Sequence, residues 1–288
     1  MYAWLRLRHL VATCAALASM APRASAQQAD DVRDRFLINA PDLSGVLAPG
    51  GFFRGAPGVN SGTPFAWGPN WGDIFVGAGY QNATRGFRAA NGALSANGAN
   101  DGTVSVGFGL LNSSEFVGLE VAITSLSTVR SGFGNRMAYS FKLHRMLGST
   151  AGIAVGVENA FITGPQKTDG TDSFYGVLSK VFPLGGIADA LNGMAVVASA
   201  GAGNGRFRGV GDIQANKPTV NGFGSLALVL NSHLSALADF TGQDLNVGVS
   251  IVPLSAFPVV FTPAMADVTQ TASKSPRFIL GVGLAVHF

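Results

Sequence analysis

Glu120, Lys142, Glu158, Asp239 and Arg277 each take a polar place in a stretch where large apolar residues recur at every second position. Leu119, Val121 and Ile123 bracket Glu120 and Ala122. Tyr139, Phe141 and Leu143 bracket Ser140 and Lys142, and Ile153, Val155 and Val157 lead to Glu158. A period of two puts successive side chains on opposite faces of a strand, so these charges share one face and the apolar residues the other. Charges of both signs gathered on one face of a sheet can do two kinds of work. Facing water inside a closed sheet, they line a pore and tune what passes. Facing one another across a dry interior, they pair and fill it, because an unpaired buried charge is costly. The same face carries Gly77, Gly79, Gly107, Gly109, Gly156, Gly248, Gly281 and Gly283. Such small residues leave space in an interior, and they also ease the curvature of strands.

Catalytic chemistry finds little support beside this pattern. Beyond residue 26 the only histidines are His144, His233 and His287, and no two have the spacing of metal ligands. His233 and Ser235 fall on one strand face, an arrangement a lipid hydrolase could use, but at the strand end opposite the one where such enzymes usually work. Gly201-Ala202-Gly203-Asn204-Gly205 has the look of half a dinucleotide loop, but no βαβ unit surrounds it. The expectation is a protein that is not an enzyme and uses no cofactor and no metal.

The elements that would position the charges are strands. Clean alternation marks residues 73–80, 103–110, 119–124, 138–144, 153–158, 245–251 and 277–288. Residues 173–182, 193–202, 222–230 and 233–241 alternate less cleanly, and 257–267 is interrupted by Pro258 and Pro263, which cannot donate to a ladder. Together these make twelve strands of about nine to eleven residues, the length a tilted strand needs to cross a hydrocarbon layer. Their connections alternate in length, the longest being 82–102 and 203–221. Residues 27–72 differ: polar at first, then punctuated by Pro49-Gly50-Gly51, Pro57-Gly58 and Gly62-Thr63-Pro64, with Phe52, Phe53, Phe65, Trp67 and Trp71 available to dock the segment in a barrel mouth.

The first 26 residues have the form of a secretory signal: Arg6 and Arg8, an apolar run, and Ala24-Ser25-Ala26 before cleavage between Ala26 and Gln27. Cys14, the only cysteine, lies within it, and Thr13 departs from a lipid-attachment motif. The formal charge of +3 also resides there, on Arg6, Arg8 and Arg23, so the exported chain is neutral overall and not built for nucleic acid. No run of about eighteen apolar residues follows, which excludes spanning helices.

The terminal stretch adds the most specific signal. Phe278, Leu280, Val282, Leu284, Val286 and Phe288 alternate with Arg277, Ile279, Gly281, Gly283, Ala285 and His287, and the chain ends on an aromatic residue. This strand resembles the C-terminal strand of bacterial outer-membrane β-barrel proteins. The resemblance implies an all-β fold, an antiparallel up-and-down transmembrane β-barrel of about twelve strands over residues 73–288, in the outer membrane of a Gram-negative bacterium. It implies that Phe288 is read as an insertion signal by the barrel assembly machinery, and that outer-membrane lipid surrounds the barrel. Residues 1–26 are then the signal peptide and 27–72 a periplasmic segment, with both termini periplasmic. The function expected is passive, porin-like passage of small solutes past Glu120, Lys142, Glu158, Asp239 and Arg277. The alternative is a closed structural or surface-interaction barrel, whose loop arginines Arg206 and Arg208 bind lipopolysaccharide or a protein partner.

Overall fold

The computed structural model describes residues 57–86, 91–165, 172–184, 194–254 and 259–287. The signal segment with its Ala26–Gln27 junction, Phe52, Phe53, Arg88, Pro258 and the terminal Phe288 lie outside them. Twelve strands follow one another: β1 (Asp73–Gln81), β2 (Asp101–Leu110), β3 (Gly118–Ser125), β4 (Met137–Leu147), β5 (Ala151–Thr163), β6 (Ser173–Pro183), β7 (Ala195–Gly203), β8 (Asn221–Val229), β9 (Leu234–Phe240), β10 (Leu245–Ile251), β11 (Val260–Ala266) and β12 (Arg277–His287). Each pairs antiparallel with the next, and β12 returns to β1 to close the barrel. The closing seam runs unbroken from Asp73↔His287 to Gln81↔Ile279. Closure leaves no strand edge unpaired, which is the structural consequence of the alternation that continues through β12.

The chain entry at Asp73 and exit at His287 share one rim, called here the terminal end. Its connections are short, except that between β6 and β7. The opposite end carries the longer ones, including the β7–β8 connection with a 3-10 turn (Gly205–Phe207) and a short helix, α1 (Val210–Gln214). Two irregularities have identifiable causes. The β4–β5 register shifts between Tyr139 and Phe141, where Asn159 takes a positive φ of 55° and its N–H donates to Ser140 Oγ at 3.1 Å. The β10–β11 ladder keeps Gly248↔Ala264 and Ile251↔Phe261 but breaks between them, opposite Pro263, which has no N–H. Ser250 Oγ and Thr262 Oγ1 meet at 2.9 Å across that break.

The outer face is apolar apart from Arg145 and Lys180 near the terminal end, and its aromatic residues collect towards the two rims. Tyr80, Phe161, Phe174, Phe240 and Phe278 stand near the opposite end, exposed by 37–66%. Phe108, Phe182 and Phe261 stand near the terminal end, exposed by 37–46%.

The interior is not uniform. On β6 to β9 many of the inward residues are themselves apolar: Val177, Val181, Val197, Ala227, Val229 and Leu237 are buried, interleaved with serines such as Ser179 and Ser235. What they pack against is the chain's own residues 57–71, which lie inside the barrel. Phe65 and Trp67 are the centre of this core, and Phe207 stacks on Phe223 at 4.5 Å in a second cluster beside it.

Candidate functional site

Residues 57–71 form a re-entrant loop whose partners trace its path. Near the terminal end, Gly58 N–H donates to Ser250 Oγ at 2.7 Å, and Ser235 Oγ donates to the Gly58 carbonyl at 2.5 Å. The apex reaches towards the opposite end. There Asp239 accepts from the Ser61 N–H at 3.1 Å and its hydroxyl at 2.5 Å, and Arg206 Nη1 donates to the Gly62 carbonyl at 2.9 Å. The chain then descends along the facing wall. Ala66 N–H donates to Ser179 Oγ at 2.9 Å, Lys142 Nζ to the Trp67 carbonyl at 2.9 Å, and His144 Nε2 lies 3.1 Å from the Pro69 carbonyl. Asn70 N–H finally donates to Asp73 Oδ2 at 2.6 Å, which sets the turn into β1. Phe65 and Trp67 thus dock the segment in the lumen, while Trp71 is 69% exposed at the rim.

Glycine makes this loop fit. A Cβ at Gly109 on β2 would sit 2.1 Å from the Asn70 carbonyl oxygen, and one at Gly152 on β5 2.9 Å from Trp67 Nε1. Only a bare backbone admits the loop so closely. Elsewhere the inward glycines leave room. Between the loop and the wall of β1, β2, β11 and β12 lies a cavity of about 350 Å3, whose wall includes Gly77, Gly79, Ser105, Thr262, Gly281 and Gly283. The inward glycines therefore serve two purposes, close approach on one side and open space on the other.

None of the five charges expected to line a pore borders this cavity. Lys142 Nζ lies 2.5 Å from Glu120 Oε2 and 5.2 Å from the Phe65 ring centre, so this pair anchors the descending leg of the loop. Asp239 is 1% exposed; its Oδ1 accepts from Ser61, and its Oδ2 from Asn246 Nδ2 at 3.5 Å. Glu158 pairs with Arg206, with Nη2 to Oε1 at 2.9 Å. Arg277 Nη2 donates to Asp244 Oδ2 at 2.9 Å, and its Nη1 to Gln81 Oε1 at 2.9 Å. In place of a ring of free charges, Glu120, Lys142, Glu158 and Arg277 sit in ion pairs, and Asp239 is hydrogen-bonded by the loop and by Asn246.

Arg206 and Arg208 also lie differently from the expected solvated loop. Arg206 reaches inward to Glu158 and Gly62, stacked 4.4 Å over Phe207. Arg208 is 7% exposed, with Nε donating to the Gly205 carbonyl at 2.9 Å and Nη1 to that of Lys217 at 2.6 Å. Both hold the β7–β8 connection in shape.

The opposite mouth is spanned by a polar network that centres on Asp244, in the tight turn between β9 and β10. Its side chain is fully buried and receives Arg85 at 2.8 Å as well as Arg277. Burial alone would raise the Asp244 carboxyl, but Arg85, the Thr241 hydroxyl and Arg277 outweigh it and hold the group below the ordinary aspartate value. Arg85 Nη1 donates to Gln243 Oε1 at 3.0 Å, and Gln243 Nε2 donates to the Arg206 carbonyl. A continuous chain of contacts thus runs from Gln81 on β1 to Glu158 on β5. Residue types and spacing alone do not single out Arg85 or Asp244. The signal that could have found them is the brevity of the 242–244 turn, which keeps Asp244 level with the strands.

Four other polar residues lie away from this network. Asp267 accepts from the N–H groups of Thr271 and Ser273 at 2.7 and 2.8 Å, which shapes the β11–β12 connection. Lys180 is exposed on the outer face between buried Ser179 and Val181. His233 and Ser235 have separate partners: His233 Nδ1 lies 2.9 Å from the Val252 carbonyl, while the Ser235 hydroxyl is bonded to Gly58 in the lumen.

The sequence matches no protein-family profile and no curated protein. Among solved structures it is similar to an outer membrane channel from Pseudomonas putida F1, at 12% identity and a TM-score of 0.43, covering 75% of this chain and 96% of that one. It is similar also to the Acinetobacter baumannii outer membrane protein Omp33, at 10% identity and a TM-score of 0.41, covering 75% of this chain and 98% of that one.

Proposed function

We propose that the protein is an outer-membrane channel whose own N-terminal loop reduces the lumen to a narrow, uncharged passage for small solutes. The cavity beside residues 57–63 carries this reading. An interior meant only as a core would be filled on all sides, as it is along β6 to β9. Instead, one wall is built from Gly77, Gly79, Gly281 and Gly283, with hydroxyls from Ser105 and Thr262, and remains open. Passage is governed by width and by backbone and hydroxyl groups, so solutes are sorted by size more than by charge.

Membrane placement rests on the outer face. An apolar band flanked by aromatic girdles is the exterior of an outer-membrane barrel, and exposing so much apolar surface to water would drive aggregation. The shorter connections and both chain ends face the periplasm in this reading, and the longer connections face outward. The apolar face of β12 suits recognition by the barrel assembly machinery. Liposome swelling with sugars and amino acids of graded size tests the proposal. Entry of the smallest solutes with a sharp size cut-off is expected, and no entry of any solute through folded protein overturns it.

The network from Gln81 to Glu158 favours a second reading, a barrel closed at its outer mouth. In that case the cavity is a dead end, and the same swelling assay shows no entry at all. Arg206 and Arg208 spend donors on Glu158, Gly62 and the backbone of the β7–β8 connection, which counts against the reading of them as a basic patch for lipopolysaccharide.

A further inference from the structure

Among the described side chains of the twelve strands, only two charged residues face outward, and both are cations. Arg145 stands between buried His144 and Met146 on β4, and Lys180 between buried Ser179 and Val181 on β6. One strand separates them. Arg145 is level with Ile153 and Leu178, while Lys180 is level with Ala151 and Leu147. Two inter-strand steps and a two-residue offset put their Cα atoms roughly 12 Å apart, within reach of one another's long side chains. Each lies over an aromatic ring at the same rim: Arg145 is 5.9 Å from the Phe116 centre and Lys180 is 5.5 Å from that of Phe182. Those rings are 58% and 46% exposed, at the level where aromatic side chains mark a membrane interface.

A charge on the lipid face of a barrel is costly near the midplane and tolerated near an interface. Neither cation forms an ion pair with a carboxylate among the described residues. Arg145 bonds the Phe116 carbonyl through Nη1, which fixes the guanidinium, while its Nε has no partner there. Two such cations on either side of β5, each steadied by an aromatic ring, are arranged to receive an anion presented at the edge of the hydrocarbon layer.

We propose that Arg145 and Lys180 form a binding site for an anionic phospholipid of the periplasmic leaflet, with the headgroup phosphate between them. The acyl chains then lie along the apolar outer wall of β4 to β6, over Ile153 and Leu178. The site rests on the reading of that wall as lipid-facing and of the terminal end as periplasmic. It does not depend on whether the lumen conducts.

Native mass spectrometry of the full exported chain in mild detergent tests it, with phosphatidylglycerol and phosphatidylcholine of identical acyl chains as probes. Each interfacial cation contributes about five-fold to the binding of an anionic lipid, so wild type should prefer the first phosphatidylglycerol by roughly 30-fold. R145Q/K180Q should reduce that preference to near unity with the heat-dependent gel shift unchanged. K180Q alone, which touches only Phe182, should lose about five-fold. Equal binding of the two lipids by wild type, or a preference that survives R145Q/K180Q, overturns the proposal. A preference for lipopolysaccharide over phosphatidylglycerol that R145Q/K180Q removes also overturns it, by moving the cations to the other leaflet. Failure of the membrane reading is separately visible, as wild-type protein that neither enters bilayers nor shifts on boiling.

Discussion

Trp67→Ala should dislodge the loop while leaving the barrel intact. Trp67 is 1% exposed, tilted 58° against Phe65 at 6.1 Å, and shares its cluster with Met146, Val181, Val197 and Val229. Removing a buried aromatic of this size costs about 3–5 kcal/mol, through lost burial and the cavity left behind. The ladders β1 to β12 do not pass through residues 57–71, so the loss falls on the inserted state of the loop. A change of 3–5 kcal/mol shifts the ratio of inserted to displaced loop by roughly two to three and a half orders of magnitude. The bonds from Asp239, Ser179 and Lys142 remain but each contributes only about 0.5–3 kcal/mol. Single-channel recording reads the outcome. Wild type should hold one small level, whereas Trp67→Ala should add frequent, much larger openings as the loop leaves. A folded variant, shifting normally on boiling, with a trace indistinguishable from wild type would refute the claim that this loop sets the width.

Three further outcomes are expected. Gly281→Leu should lower conductance severalfold without impairing assembly, because a Cβ there meets Thr262 at an ordinary 3.7 Å while the rest of the side chain enters the passage; unchanged conductance in planar bilayers would remove the passage from this wall. Asp244→Asn leaves Arg85 and Arg277 facing each other without their carboxylate, a loss of about 3–5 kcal/mol for a buried pair; reversal potentials should move towards anion preference, and the boiling temperature for the gel shift should fall. The pH response follows from the depressed Asp244 carboxyl: its stabilising contribution is complete above the ordinary value of 3.8 and is lost as pH falls through the lower folded value. Conductance should therefore stay flat from neutral pH down to that range and rise only below it, and a transition in the range where histidine titrates would contradict the assignment.

The barrel was legible because its strands carry one apolar outer face and one compact or polar inner face. The alternation at Ile74–Tyr80, in Val104–Leu110 and through β12 reads directly as strands, and their even number brings both ends to one rim. Residues 173–182, 193–202, 222–230 and 233–241 read less cleanly for a physical reason. Val177, Val181, Val197, Val229 and Leu237 are apolar inward because the loop covers them, and Leu178 and Leu226 are apolar outward. A strand buried on both faces loses its period-two signature. The candidate site was less legible. Alternation tells which face Glu120, Lys142, Glu158, Asp239 and Arg277 take, and it is silent on what meets them. Their partners (Ser61, Trp67, Arg206, Asp244) come from a loop, a turn and a distant segment. Likewise a glycine that admits a loop, such as Gly109, and one that leaves a passage, such as Gly281, look alike until the loop is placed.

Planar-bilayer recording of wild-type protein, verified as folded by its shift on boiling, tests the central claim most directly. A passage lined by glycines and hydroxyls beside a fixed loop predicts a small, steady, ohmic conductance with weak discrimination between cations and anions. Repeated incorporation of folded protein without any conductance would contradict it and leave the lumen closed.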